Sequence, residues 1–129
     1  MVYMDTSALV KLVVAEPETP ALIRWLGDAD RRPVACDLVR TELLRAVRRT
    51  DPDLSVRARA VLNLVTTVEV GTSVFEQAGR LDSPTVRSLD AIHLASALSF
   101  SDELEALVTY DNRLADAARA NGVETVAPR

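Results

Sequence analysis

A three-layer α/β/α sandwich around a central, mainly parallel sheet of about five short strands is the fold this sequence predicts. Two observations carry that expectation. Short β-like runs alternate with helical patterns almost from end to end, and sheets built that way are parallel with helices on both faces. Val2 to Met4, Pro33 to Cys36 and the start of Ala106 to Tyr110 are apolar runs, as strands buried on both sides are. The chain has 129 residues, 48% of them hydrophobic, and only four glycines. We therefore expect one domain over residues 1–129 with a sizeable core.

Taken in order, Val2 to Met4 is a short apolar strand. DTSALVKLVV opens on capping residues and continues as an apolar helix. Thr19 to Ala29 is amphipathic through Leu22, Ile23, Trp25 and Leu26, and Pro33 to Cys36 is the second strand. Asp37 to Thr50, DLVRTELLRAVRRT, repeats apolar residues at helical spacing through Leu38, Val39, Leu43, Ala46 and Val47. Leu54 to Leu64 is a further helix, and the β-branched Thr66 to Val70 the third strand. Val74 to Leu81 is helical and DSPTVRS a loop. Leu89 to Phe100 is apolar on most sides, so deep burial is expected. Ala106 to Tyr110 is a strand, Asn112 to Asn121 a helix closed by Gly122, and Val123 to Val126 the last strand.

Composition narrows the chemistry. The single cysteine, Cys36, excludes an internal disulfide and a cysteine-based zinc cluster. No basic leader or long apolar segment follows MVYMD, and we expect a cytoplasmic protein. The net charge of −4 by itself disfavours a nucleic-acid partner. Its distribution does not: fourteen of the fifteen basic residues are arginines, and Arg40, Arg45, Arg48 and Arg49 ride on one helix. Either they are a solvated face, or they form a phosphate-binding rim beside an acidic pocket.

The acids set that pocket. Glu42 interrupts the apolar stripe of its helix, placed by this reading in the second turn, where a carboxylate needs a partner or a cation. Asp5 and Asp111 each follow a strand, so both fall on the edge of the sheet where α/β folds bind ligands. Asp90 lies in the first turn of the buried helix. Taken singly, each aspartate is explained by helix capping or the helix dipole. Taken together, the four would repel one another, and a divalent metal removes that repulsion. An all-oxygen donor set suits Mg²⁺ or Mn²⁺.

MDTSAL, TELLRA, LDAIHLA and VTYDNRLADAARANGV, in this order, cover nearly the whole chain and resemble the PIN-domain pattern, in particular the VapC-type toxins of bacterial toxin–antitoxin pairs. The resemblance implies a Mg²⁺- or Mn²⁺-dependent endoribonuclease whose acidic quartet is Asp5, Glu42, Asp90 and Asp111. It also implies a homodimer restrained by a cognate VapB-type antitoxin, with transfer or ribosomal RNA as substrate. Asn112 and Arg113 stand where acid-richer members carry a further Asp, so one tightly held ion is expected, with a weaker second left open. Thr6, Ser7 and Thr109 are the supporting hydroxyls: the first two for Asp5, an ion-bound water or a phosphate, the third pointing toward Asp111. Arg45, Arg48 and Arg113 are the candidates for RNA phosphates.

The chemistry expected is hydrolysis by a water activated at the metal, leaving a 5′-phosphate and a 3′-hydroxyl without use of the 2′-hydroxyl. His93, the only histidine, is expected to be structural, and His93→Gln to keep activity. No nucleophile motif accompanies it. A receiver domain needs a late lysine, and the only one is Lys11; a haloacid-dehalogenase-type phosphatase needs D-x-D after the first strand, where this chain has DTS. The remaining alternative is a catalytically inactive PIN-like module that binds protein or RNA. Leu22, Ile23, Trp25 and Leu26, and Val61, Leu62, Leu64 and Val65, form apolar clusters for which core packing is the expected role of most members, with Trp25 the best candidate for a partner anchor.

Overall fold

Alternate residues of the first strand enter different cores, and this one fact organises the molecule. The computed structural model describes residues 1–129. Its elements are β1 (Val2–Met4), α1 (Thr6–Val13), α2 (Thr19–Asp28), β2 (Pro33–Cys36), α3 (Val39–Thr50), α4 (Ser55–Leu64), β3 (Thr66–Val68), α5 (Thr72–Arg80), α6 (Ser88–Leu98), β4 (Ala106–Val108), α7 (Asn112–Ala120) and β5 (Thr125–Val126). Single 3₁₀ turns occupy Pro52–Leu54 and Ser101–Glu103. Val2 and Met4 pack with Leu9, Leu22, Leu43, Val47 and Leu62 of α1 to α4. Tyr3, between them, packs with Leu94, Leu107 and Leu114 on the other face, against α6 and α7. The period of two in a strand thus splits the apolar residues into two cores with the sheet between them.

All strands are parallel, in the order β3-β2-β1-β4-β5. The chain builds outward from β1 through β2 to β3, then returns to pair β4 on the opposite side of β1. That reversal opens a crevice beyond the carboxyl ends of β1 and β4, the place where such sheets bind ligands. The three-layer architecture is the one the sequence predicts.

Boundaries moved in three informative places. α3 begins at Val39, because Asp37 and Leu38 form the turn that leaves β2; Glu42 therefore sits in the first turn, not the second. β3 ends at Val68 rather than Val70, and α5 starts two residues early, at Thr72. β4 ends at Val108, since the Tyr110 amide donates to Ser7 Oγ (2.9 Å) and leaves the ladder. After α7, Gly122 adopts φ 77°, and Val123 N–H returns to the Ala118 carbonyl at 2.9 Å. That left-handed turn closes the helix and directs the chain into β5.

Leu107 of β4 is fully buried. Leu107→Ala is expected to lower stability by about 2–5 kcal/mol in a denaturant titration, with the midpoint falling and the slope unchanged. The only lysine is absorbed structurally. Lys11 Nζ donates to Glu16 (2.9 Å) and Glu18 (3.0 Å), and lies 4.6 Å from the centre of the Tyr110 ring. Burial opposes its charge, but the two carboxylates outweigh burial and raise its pKa; that of Glu18 is lowered by the same hydrogen bond. A raised lysine contributes below its unfolded pKa and is lost as pH rises through the folded value. A lowered glutamate contributes above its unfolded pKa and is lost as pH falls through the folded one. The clip is therefore expected to hold across neutral pH and to fail at both extremes. Lys11→Met should remove that part of the acid sensitivity in pH-dependent melts.

Candidate active site

Asp5 leaves β1 and caps α1, where Oδ1 accepts the Ala8 amide at 3.0 Å. Ser7 Oγ donates to the same oxygen (2.7 Å) and Thr109 Oγ1 to Oδ2 (2.7 Å). Three donors hold one carboxylate that is 4% exposed. Burial nevertheless raises the Asp5 pKa, outweighing the hydrogen bonds that favour the anion. Thr109 also accepts the Asp111 amide at 3.1 Å, so it links the two strand-end acids: its hydroxyl serves Asp5 and its oxygen fixes the Asp111 backbone. The expectation that Thr109 serves Asp111 is met through the backbone only. Asp111 itself caps α7, accepting the amides of Arg113 (2.8 Å) and Leu114 (3.3 Å).

Glu42 approaches from α3. Thr6 Oγ1 donates to its Oε1 at 3.0 Å, and His93 Nε2 reaches the same oxygen at 2.6 Å. Thr6 therefore serves Glu42, while Ser7 serves Asp5. The partner that a carboxylate in an apolar stripe needs is this histidine. The ring is 1% exposed, and its Nδ1 lies 2.9 Å from the Tyr3 hydroxyl, which accepts the Cys36 amide at 3.1 Å. Cys36 Sγ lies 3.6 Å from Nδ1. Burial works against a charged His93, but the hydrogen bonds to Cys36 and Glu42 overcome it and raise the pKa. Burial likewise works against the Glu42 anion, and His93 with Thr6 brings its pKa below the usual glutamate value.

Asp90, half-buried in the first turn of α6, shares a cleft of about 390 Å³ with Asp111, Arg87, Asn112 and Arg113. Burial raises its pKa first, and the negative charges of Asp111 and Glu42 raise it further. Asp90 and Asp111 thus share one cleft, Asp5 is tied to Asp111 through Thr109, and Glu42 lies near enough for its charge to act on Asp90. None of Asp5, Asp90 and Asp111 forms an ion pair; Glu42 pairs only with His93. In this conformation no three ionisable side chains close into a ready-made ion cage. The donor set is all oxygen, and apart from the Glu42–His93 pair none of its carboxylates forms an ion pair, which fits a hard divalent cation that keeps several of its waters. Of the arginine candidates, Arg113 stands in the acidic cleft, whereas Arg45 and Arg48 line a separate one with Arg49. A cleft of about 420 Å³ between α5 and α6 has no ionisable lining residue.

Two residues with evident roles here were not picked out from the sequence. Arg87 precedes α6 and lines the acidic cleft; its position directly before Ser88 and three residues before Asp90 was the available signal. Tyr3 reads as a strand core residue, and nothing in its spacing tells that its hydroxyl supports His93.

A parallel sheet with acids at the switch point between its central strands defines a class of α/β protein that places carboxylates around a phosphate- or metal-binding crevice. The PIN domain family model matches residues 2–120. Ribonuclease VapC35 of Mycobacterium tuberculosis is 42% identical over 131 residues, covering 99% of this chain and 97% of that protein. The chain belongs to the PIN-domain family, among its VapC-type members. Solved structures agree on the fold. The M. tuberculosis toxin VapC20, described as cleaving the sarcin–ricin loop, superposes with a TM-score of 0.77 at 19% identity, covering 99% of this chain and 100% of that one. A toxin–antitoxin complex from Klebsiella pneumoniae gives 0.75 at 18% identity, covering 100% and 98%.

Proposed function

We propose that this chain is a toxin-type endoribonuclease that hydrolyses RNA phosphodiester bonds at the crevice between β1 and β4, with Mg²⁺ or Mn²⁺ held among Asp5, Glu42, Asp90 and Asp111. The observation that carries the reading is the group of acids at that crevice, none of which forms an ion pair with a Lys or Arg. The names of the relatives support it, since VapC35 is a ribonuclease and VapC20 cleaves the sarcin–ricin loop. When bound, the ion supplies a more acidic water and offsets charge on the phosphate.

The protein's own side chains do the rest. Ser7 and Thr109 hold the Asp5 carboxylate in one orientation, and His93 with Thr6 does the same for Glu42. Arg87 and Arg113 flank Asp90 and Asp111, placed to donate hydrogen bonds to phosphate oxygens. Hydrolysis by water leaves a 5′-phosphate, and a 2′-O-methyl group at the cut bond does not remove a required nucleophile. A cyclic-phosphate product would exclude this chemistry.

A VapB-type antitoxin restraining a homodimeric toxin in the cytoplasm completes the proposal. No helix is long and apolar enough to cross a membrane. The similar fold in the Klebsiella toxin–antitoxin complex supports the antitoxin. Ile23, Val56, Leu64, Phe75 and Leu89 are large apolar side chains left exposed, available to such partners. The expected apolar faces divide accordingly: Leu22, Val61, Leu62 and Val65 are core, and Ile23 and Leu64 face outward. Trp25 is half-buried beneath Arg31, whose guanidinium lies 4.0 Å from the ring centre.

The test is cleavage of total bacterial RNA by purified, antitoxin-free protein in Mg²⁺ or Mn²⁺ and in EDTA. Discrete fragments that vanish in EDTA and with Glu42→Gln are expected. Cleavage that persists in EDTA would refute the metal, and no cleavage by the folded protein in any metal would refute the nuclease.

A further inference from the structure

We propose that Arg45, Arg48 and Arg49 form a phosphate track that carries the RNA strand away from Glu42 along α3. The inference rests on the RNA reading above and deepens it, by assigning where the substrate lies beyond the bond that is cut.

Three observations converge. A cleft of about 310 Å³ is lined by these three arginines and nothing else. None of the three forms an ion pair with a carboxylate or a side-chain hydrogen bond, although Asp51 and Asp53 follow within a few residues. Asp51 instead accepts the Asp53 amide at 2.9 Å. Finally, Val39, Leu43 and Val47 bury the opposite face of the helix and fix its rotation. Positions 42, 45 and 49 then follow one another at the spacing of a single helical row, with Arg48 beside it. Glu42, half-buried at the shoulder of the apolar stripe, heads a row of exposed guanidiniums.

The dimensions suit a nucleic-acid strand. Glu42 and Arg49 are separated by about 10 Å along the helix axis at roughly 1.5 Å per residue. A strand presents a phosphate roughly every 3.4 Å of duplex axis, so the row spans the phosphates just beyond the one at the acids. The helix dipole explains cations in the last turn, where Arg48 and Arg49 lie, but not Arg45 or the cleft they share. The lining also separates RNA from an acidic protein segment. Protein interfaces centre on apolar and aromatic residues, and this cleft offers none. Bare guanidiniums matched to phosphate oxygens are what a polyanion backbone uses.

The experiment measures binding and cleavage separately. Affinity for a short labelled RNA hairpin is measured in EDTA over a salt series, for the parent and Arg45→Ala/Arg49→Ala. Arg24→Ala/Arg119→Ala serves as the control of equal charge change, and circular dichroism verifies folding. The track variant is expected to bind roughly tenfold more weakly, with a log-log salt slope shallower by about 1 to 2, as the loss of two phosphate contacts requires. The control should match the parent. Where the parent cleaves RNA, the same variant should raise KM with kcat little changed. Unchanged hairpin affinity, an equal loss in the control, or a parent that does not bind the hairpin at low salt overturns the track. Affinity lost for poly-glutamate but not for RNA also overturns it and assigns the row to an acidic protein. Weakened binding in a protein that cleaves no RNA would leave the track standing and the nuclease reading refuted.

Discussion

Asp5→Asn is expected to abolish RNA cleavage while leaving the metal-free protein as stable as its parent or more so. The carboxylate is almost wholly buried, and burial holds its pKa above the ordinary aspartate value. A folded pKa above the unfolded one means that this residue's contribution is complete below the unfolded value. It is lost as pH rises through the folded value. Once deprotonated, the buried group is therefore a liability that an amide does not carry. The amide also fits its donors. The Asn oxygen can accept from Ser7 and Ala8, as Oδ1 does now, while the Thr109 hydroxyl, 3.3 Å from Ser7 Oγ, turns to accept from the new NH₂. What the variant loses is a negative charge at the ion site. Activity should fall by more than about 100-fold, beyond the range seen when only an outer partner of a metal ligand is lost. Melts in EDTA and in millimolar Mn²⁺ separate the effects. The parent should gain stability from Mn²⁺ beyond that given by Ca²⁺, and the variant should gain little. Equal gains would remove Asp5 from the ion site, and no specific gain in the parent would favour an inactive binding module.

His93→Ala should produce the second large effect, on stability and on activity together. The ring bridges Tyr3 and Glu42 from inside the protein, at 2.9 and 2.6 Å. Removing it leaves a cavity, a Tyr3 hydroxyl whose proton has lost its acceptor while the Cys36 amide still donates to its oxygen, and a half-buried carboxylate with Thr6 alone. Losing a charge-assisted bond and exposing a buried polar group to no partner costs about 2–4 kcal/mol at a site like this. Activity should drop about 10- to 100-fold, as when the orienting partner of a metal ligand is removed. His93→Gln is the informative companion. Its amide can donate to Glu42 but cannot also reach Tyr3, so we expect it to keep much of the activity and to lose part of the stability. A His93→Ala variant with parental stability and turnover would show that Glu42 needs no support from this ring.

The residues that were legible and those that were not differ in a physical way. The strands could be read because they are short, apolar and bounded by turn residues, and their rhythm admits few topologies. The acids could be placed because a carboxylate just after a strand falls on a known edge of a parallel sheet. Glu42 stood out because its position within an apolar stripe is costly. Helix and strand ends were less legible, since they depend on single competing hydrogen bonds, such as Tyr110 N–H choosing Ser7 Oγ over the ladder. Which hydroxyl serves which acid was hidden too. Thr6 and Ser7 are adjacent, yet their side chains diverge on the first turn of α1, one to Glu42 and the other to Asp5.

By itself the sequence determined the fold class and the sheet edge at which Asp5 and Asp111 lie, and it singled out Glu42 and Asp90 as the acids expected to join them. All of these follow from local periodicity and from the rule that parallel strands end together. Only the tertiary structure decided that His93 answers the charge of Glu42, that Tyr3 stands behind it, and that Arg87 joins Asp90 and Asp111. It also separated Arg45 and Arg48 from Arg113. These are pairings across long stretches of chain, set by how α3 and α6 rotate against the sheet. Packing of Leu43, Val47 and Leu94 fixes those rotations, and no local pattern encodes them.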